Sequence, residues 1–246
     1  MIVYPSCAIT VSDFYYEHYG FCPICQAPAK FVARHTWFRD SFICQSCGSI
    51  PRQRALIQLV DELLPGWSGF DLFEASPGGP ATERLKAGCA GYVGSYCYPG
   101  VPLGTVHQGF RCEDLERLTF ADAAFDLVVT QEVFEHVFDY RRGFREVMRV
   151  LRPGGTHVFT TPKYKHLRRS VDRAIRRDGE IVHLSEPEYH GNPIDAGGSL
   201  VTVHYGDDLP EIIWHETRCP TTVYVIRESR TGTIAEFMDV FVTRKL

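Results

Sequence analysis

The chain has 246 residues, 44% of them hydrophobic and 23% charged, with a formal net charge of −4. That length holds one α/β domain of ordinary size plus a small appendage, and the composition is a normal globular balance able to bury a core. The acidic balance speaks against a dedicated nucleic-acid binder, which carries a basic surplus, and no stretch is long and apolar enough to span a bilayer. Asp13, Glu17 and Pro5 interrupt any apolar run in residues 1–20, so a secretory signal is not expected there and the expected location is cytoplasmic. In that compartment the nine cysteines stay mostly reduced, and paired ones point to metal rather than disulfides.

Residues 1–50 read as a zinc-ribbon-like module. Cys22-Pro-Ile-Cys25 and Cys44-Gln-Ser-Cys47 are two C-x2-C knuckles separated by eighteen residues. Each knuckle puts two thiolates on one side of a tight loop, and two loops complete a tetrahedral site. A redox C-x2-C pair would need only one knuckle, opening a helix in a βαβ unit. Four thiolates leave no open position, so the expected Zn2+ is structural. Lys30–His35 and Arg39–Ile43 are expected to form a hairpin between the knuckles. Cys7, Cys89, Cys97, Cys112 and Cys219 lack such pairing and read as small apolar residues.

The body, 51–246, opens on a helix expected over Ser49–Leu64, in which Arg52 and Arg54 read as solvated charges with a site-facing role as the alternative. Short apolar runs then alternate with helical patterns, as in a parallel sheet. Strands are expected at Gly69–Ala75, Gly91–Ser95, Phe125–Thr130 and Thr156–Thr161, with a weak one near Thr105–Gln108. Helices are expected at Pro80–Ala87 and Tyr140–Leu151, the latter stopped by Pro153-Gly154-Gly155. Residues 163–199 break the alternation and read as a substrate-side insertion or lid, with a basic helical piece near Leu167–Arg177. Asp208–Glu216 reads as a helix, and Thr222–Arg227 and Phe237–Arg244 as two terminal strands.

Five segments carry a family resemblance: Phe73–Pro80 with its Glu74-Ala75-Ser76-Pro77-Gly78-Gly79 turn, Glu113–Phe120, Phe125–Val129, Glu132–Val137 and Val150–Gly155. In order and spacing they resemble the class I S-adenosylmethionine (SAM)-dependent methyltransferases, over about Gly69 to Pro162. The resemblance implies a Rossmann-like fold: a mostly parallel seven-stranded sheet with a terminal antiparallel strand. It also implies SAM at the carboxyl ends of the strands. On this reading Glu74, Ala75, Ser76 and Gly78 line the methionine end, Gly78 and Gly79 let backbone approach closely, and Asp114 and Leu115 meet the adenine. Gln131 and Glu132 border the methionine part and the acceptor, with helix capping as their other reading. The sequence departs from the family at Ser76 and Pro80, where glycines are usual, and at Ser95-Tyr96, where a carboxylate usually takes the ribose hydroxyls.

Methyl transfer asks the protein mainly for alignment and a closed pocket, plus a base where the acceptor is a hydroxyl or amine. His136 and His190 are the candidates; the first also reads as a helix-start residue and the second as a turn former in Pro187–Pro193. His183 and His204 have no stronger claim, and His107, His157, His166 and His215 read as structural or surface residues. The basic run Lys163, Lys165, Arg168, Arg169, Arg173, Arg176 and Arg177 is a solvated face or a phosphate-binding one. The expected function is transfer of a methyl group from SAM to a small-molecule or glycan acceptor. RNA methylation and a SAM-binding scaffold without turnover are the alternatives.

Overall fold

A computed structural model describes residues 14–192 and 194–246; Cys7, Pro193 and the first thirteen residues of the 1–50 module lie outside the described residues. Strands β1 (Tyr16–Cys22) and β2 (Ala27–Ala33) form an antiparallel hairpin across the first knuckle, Cys22 facing Ala27. A short helix α1 (Phe38–Ser41) follows, then β3 (Ile43–Cys44), which pairs with the far end of β2. The hairpin expected from Arg39–Ile43 is therefore mostly absent. Phe38 and Phe42 have to reach one small core with Tyr16 and Phe31, ring centroids 5.1–5.6 Å apart, and a helical turn points both rings that way.

Helix α2 (Pro51–Leu63) leads into the body, with Pro51 in its first turn. The body is built from β4 (Asp71–Ala75), α3 (Gly79–Gly88), β5 (Gly91–Tyr96), β6 (Val106–His107), β7 (Phe110–Cys112), β8 (Phe125–Gln131), α4 (Tyr140–Val150) and β9 (Leu151–Thr160). Short pairs follow in the insertion: β10 (Val171–Asp172) with β15 (Val203–His204), β11 (Ala174–Arg177) with β12 (Glu180–His183), and β13 (Tyr189–His190) with β14 (Ser199–Leu200). Helix α5 (Leu209–Thr217) and strands β16 (Thr221–Val225) and β17 (Asp239–Arg244) close the chain.

The main sheet has eight strands in the order β16-β17-β9-β8-β4-β5-β7-β6. Strands β7, β5, β4, β8 and β9 run parallel, and β17 is inserted antiparallel between β9 and β16. This is the expected Rossmann-like arrangement with one extra edge strand. The weak strand near Thr105–Gln108 is that edge, β6, antiparallel to β7; the parallel member is Phe110–Cys112, too short to show a pattern. Period-two alternation from Leu127 onward, with a register shift between Phe125 and Leu127, splits β8 between two cores. Leu127 and Val129 pack under α2 and α3, while Phe125 and Val128 pack under α4 and α5. Covering both faces makes the central strands continuously apolar.

Two further expectations are corrected. Leu167–Arg177 is not a helix: Asp178 and Gly179 adopt φ of 52° and 85°, close a tight turn, and set Ala174–Arg177 against Glu180–His183 as a hairpin. Arg54 is not solvated. It is fully buried, lies over the Phe31 ring at 4.6 Å, and donates to the carbonyls of Phe42 (2.8 Å), Gly232 (2.6 Å) and Ser49. Burial lowers its pKa to about 10, which leaves it charged at neutral pH. Gly232 sits in the β16–β17 connection, which also binds β1 through Phe21 N to Arg230 O (2.7 Å). The cysteine module is thus fastened to the body from two sides. Among the described residues no helix is long and apolar enough to cross a membrane.

Candidate active site

The carboxyl ends of β4, β5 and β8 open onto a cavity of about 580 Å3, within the usual size of a small-ligand pocket. One wall is the turn after β4. Ser76 has φ of 55°, a left-handed conformation costly for a residue with a Cβ, and its N–H donates to Ser95 O (2.8 Å). This is the position where the resembling family has glycine. Gly79 also needs a positive φ, 75°, and a Cβ there would meet Gln53 Nε2 at 2.5 Å. Ala75, Ser76, Gly78, Ser95 and Tyr96 all line the cavity, and Tyr96 OH ties β5 to the turn by donating to Pro77 O.

Glu74 is not brought to the surface of the cavity. It is fully buried, and its oxygens accept from Thr82 Oγ1 (2.8 Å), Gln131 Nε2 (3.0 Å) and Tyr92 OH (2.8 Å). Burial raises its pKa, and these three donors oppose the rise. Its chemistry reaches the cavity through Gln131, which does line it.

The opposite wall comes from Glu113–Glu116. Asp114 Oδ1 accepts from Glu116 N (2.9 Å), a local turn that holds the carboxylate at the cavity. Leu115 lies beside it and is 7% exposed. Glu113 is held from behind by Arg111 and by Thr119 N (2.8 Å). The lining carries four carboxylates, Glu113, Asp114, Glu116 and Glu132, against two guanidiniums, Arg52 and Arg176. Glu113 and Glu132 are neutralised by Arg111 and Arg39, and Arg176 stands against Glu116, so Asp114 is the lining carboxylate without an ion-pair partner among the described residues.

At the end of β8, Glu132 adopts φ of 54° and binds Arg39 of α1. Arg39 is 6% exposed and also donates to Phe237 O (2.6 Å). The cysteine module therefore holds a residue of the cavity wall. Nothing local in the sequence signals this contact, because the partners stand far apart in the chain. Arg52, from α2, lines the cavity as well and pairs with Asp40 (2.7 Å), so its site-facing reading has the geometry behind it.

The third side comprises His136, Val137 and Phe138 after β8 and Arg176, Gly191, Asn192, Ile194 and Ser199 of the insertion, so residues 163–199 do contribute to the cavity. His136 Nδ1 is 2.9 Å from Leu200 O; a carbonyl only accepts, so Nδ1 carries the proton and Nε2 is the free acceptor. Burial lowers the His136 pKa and favours the neutral ring. His190 lies edge-on to His136, ring centroids 5.2 Å apart, and its Nε2 is 3.2 Å from Glu188 Oε1. Glu135, behind His136, is 1% exposed, and burial together with the Glu132 carboxylate raises its pKa. Sequence alone does not single out Glu135 and Glu188, although they stand one and two residues from His136 and His190.

Of the other sequence candidates, Arg176 and Cys97 line the cavity, and His107, His157, His166, His183, His204 and His215 do not. His157 is buried in the sheet, 3.1 Å from Thr130 Oγ1. His204 is 2.9 Å from Glu188 Oε2. The basic run breaks up into separate contacts: Lys163 with Asp207 (2.9 Å), Arg173 with Glu186 O (2.6 Å), and Arg176 against Glu116 (3.9 Å). Of the unpaired cysteines, Cys89, Cys112 and Cys219 are buried, but Cys97 is exposed, not buried as a small apolar residue would be. Cys22, Cys25, Cys44 and Cys47 converge, with Sγ separations of 3.9 Å (Cys22–Cys47) and 3.8 Å (Cys25–Cys44). A tetrahedron with Zn–S bonds of about 2.3 Å has an edge of about 3.8 Å, so the spacing fits zinc.

A family model described as "Methyltransferase domain" matches residues 98–159. The chain is 34% identical over 111 residues to a demethylmenaquinone methyltransferase of Corynebacterium urealyticum, covering 41% of this chain and 45% of that one. It is 29% identical over 118 residues to a malonyl-[acyl-carrier protein] O-methyltransferase of Methylovorus, covering 48% and 38%. It thus spans less than half the length of either relative. Among solved structures it superposes, with a TM-score of 0.52 and 15% identity, on a chain of the complex between the Haloferax volcanii Trm112 methyltransferase activator and a methyltransferase, covering 79% of this chain and 89% of that one. The fold is accordingly the Rossmann-like methyltransferase fold, and the matched stretch 98–159 supplies Asp114, Gln131, Glu132 and His136 of the cavity wall.

Proposed function

We propose that the chain is a SAM-dependent methyltransferase acting on a small-molecule acceptor. The observation that carries this reading is the cavity at the carboxyl ends of β4, β5 and β8, walled by the Ser76–Gly78 turn on one side and Asp114 on the other. SAM has a net positive charge, and the Asp114 carboxylate, which has no ion-pair partner among the described residues, suits it. The residues fit the group: the turn at Gly78 leaves open space for backbone approach, Asp114 and Leu115 offer an acceptor and an apolar face to adenine, and Gln131, fixed by Glu74, is poised for the amino-acid end. Ser95 and Tyr96 stand where a carboxylate usually binds ribose, which gives a weaker neutral contact.

When bound, SAM would supply an electrophilic methyl group on a sulfonium. The chain's part is to orient acceptor and cofactor and to exclude water, which the insertion 163–199 does as a lid over the acceptor end. His136 Nε2, with His190 against it, is placed to take a proton from an acceptor hydroxyl or amine. Relatives named for action on demethylmenaquinone, malonyl-[acyl-carrier protein] and dimethylglycine suit a small-molecule acceptor, and a glycan falls within the same chemistry. RNA is the less favoured acceptor in this reading: of the basic run, Lys163, Arg173 and Arg176 are engaged by neighbouring groups, while Arg168, Arg169 and Arg177 stay exposed. Zn2+ on the four cysteines is structural in this reading, with no open ligand position.

Calorimetry of the full chain with SAM and with S-adenosylhomocysteine (SAH) tests the proposal. Stoichiometric binding of both is expected. Failure of both to bind, with the protein folded, would refute it.

A further inference from the structure

Three Lewis-basic side chains converge beside the cavity, with His136 in its wall and Glu135 and His190 next to it. Ligand atoms of Glu135, His136 and His190 all lie within 4.8 Å of one another. The free Nε2 of His136 is 3.8 Å from Glu135 Oε1. Glu135 is almost wholly buried. Its Oε2 accepts from Thr161 Oγ1 (2.9 Å), but Oε1 has no hydrogen-bond partner. A buried carboxylate oxygen without a donor is costly. The turn that carries it is held firmly, since Thr202 N donates to Glu135 O (2.7 Å) and Tyr205 OH to Phe134 O (3.1 Å).

The second histidine is oriented from behind. Glu188 Oε1 engages His190 Nε2, which leaves Nδ1 as the free donor atom, and Glu188 Oε2 engages His204 Nε2. A carboxylate behind an imidazole is the arrangement that fixes metal-bound histidines. His136 is fixed in the same way by the Leu200 carbonyl. Two oriented imidazoles and one carboxyl oxygen without a partner bring three lone pairs together, and a cation would engage all three at once.

We propose that Glu135, His136 and His190 bind a divalent first-row transition ion beside the cavity. Imidazole donors disfavour Mg2+ and Ca2+, which take oxygen ligands. Bonds of about 2.0–2.2 Å bring the ligand atoms closer than they stand now, an adjustment of under about 1 Å per side chain. Two histidines and one carboxylate leave coordination positions open, unlike the four cysteines. The proposal rests on the methyltransferase reading only for its consequence. An acceptor oxygen, such as a hydroxyl, would take an open position, and with both imidazoles on the ion its proton would pass to solvent as the methyl group is transferred.

The test uses the full chain with zinc on its cysteine site, titrated with Co2+ by calorimetry and visible absorption. One further equivalent is expected, without the thiolate-to-cobalt charge-transfer band. Glu135→Gln and His190→Ala should each weaken that equivalent by roughly tenfold or more. His190 is only half-buried, so His190→Ala, with an unchanged melting temperature, keeps the test meaningful should Glu135→Gln fail to fold. No further equivalent, or one that both variants bind as the wild type does, would overturn the site. SAH titrations on the same samples keep the two readings apart. SAH binding without the extra Co2+ sinks the ion alone, and Co2+ binding without SAH supports the ion and sinks the methyltransferase reading.

Discussion

Asp114 and Arg39 make different demands on the cavity. The Asp114 carboxylate is held at the wall by Glu116 N and carries no buried ion pair. Asp114→Ala should therefore leave the fold intact and weaken SAH binding by about 1–3 kcal/mol, the cost of a lost charge-assisted hydrogen bond. An unchanged dissociation constant in calorimetry would show that adenine is held elsewhere. Arg39 instead neutralises Glu132 in a place where both side chains are largely withdrawn from water. Arg39→Ala leaves that carboxylate buried and unpaired, with an expected loss of about 3 kcal/mol in denaturant unfolding. Adding Glu132→Gln should restore part of it, because the uncompensated charge is then gone. Additive losses in the double variant would mean that the pair is not coupled.

The elements with regular patterns were legible in the sequence, and those fixed by distant partners were not. Phe125–Val129 and Tyr140–Val150 show their periods because each buries one continuous face or two. The glycine turn after β4, Asp114 and the paired knuckles could be read because their chemistry is local. Leu167–Arg177 looked helical from its arginine spacing, yet a two-residue turn at Asp178-Gly179 decided for a hairpin. Arg54 looked solvated because its carbonyl partners at Phe42 and Gly232 belong to other parts of the chain. A further long-range contact, Arg39 to Glu132, ties the cysteine module to a residue of the cavity wall. Cys44→Ala, or removal of zinc by a chelator, should lower the melting temperature and also weaken SAH binding, since α1 carries Arg39 to Glu132. Metal analysis of freshly purified protein should find zinc. A stable, SAH-binding chain without zinc would separate the module from the site.

At the scale of the whole molecule, the sheet must keep His157 neutral between Phe134, Phe144 and Phe159. Burial lowers its pKa to about 3 in the folded protein. In the unfolded chain a histidine titrates near 6.5, so below that pH the unfolded state binds a proton that the folded state refuses. Stability should fall as pH drops from about 6.5 towards 3, by about 2 kcal/mol at pH 5 from this group. His157→Phe should flatten the pH dependence by about one proton, whatever it does to stability at pH 7. Parallel curves for the two proteins would show that His157 is charged when folded.

The central claim is that the strand ends beyond Ala75, Tyr96 and Gln131 hold SAM. A crystal structure of the full chain with SAH tests it most directly. The account expects the adenine against Asp114 and Leu115, the amino-acid end at the Ser76–Gly79 turn and Gln131, and the sulfur turned towards His136. SAH bound outside this cavity, or a cavity filled by the chain's own side chains at saturating SAH, would contradict it.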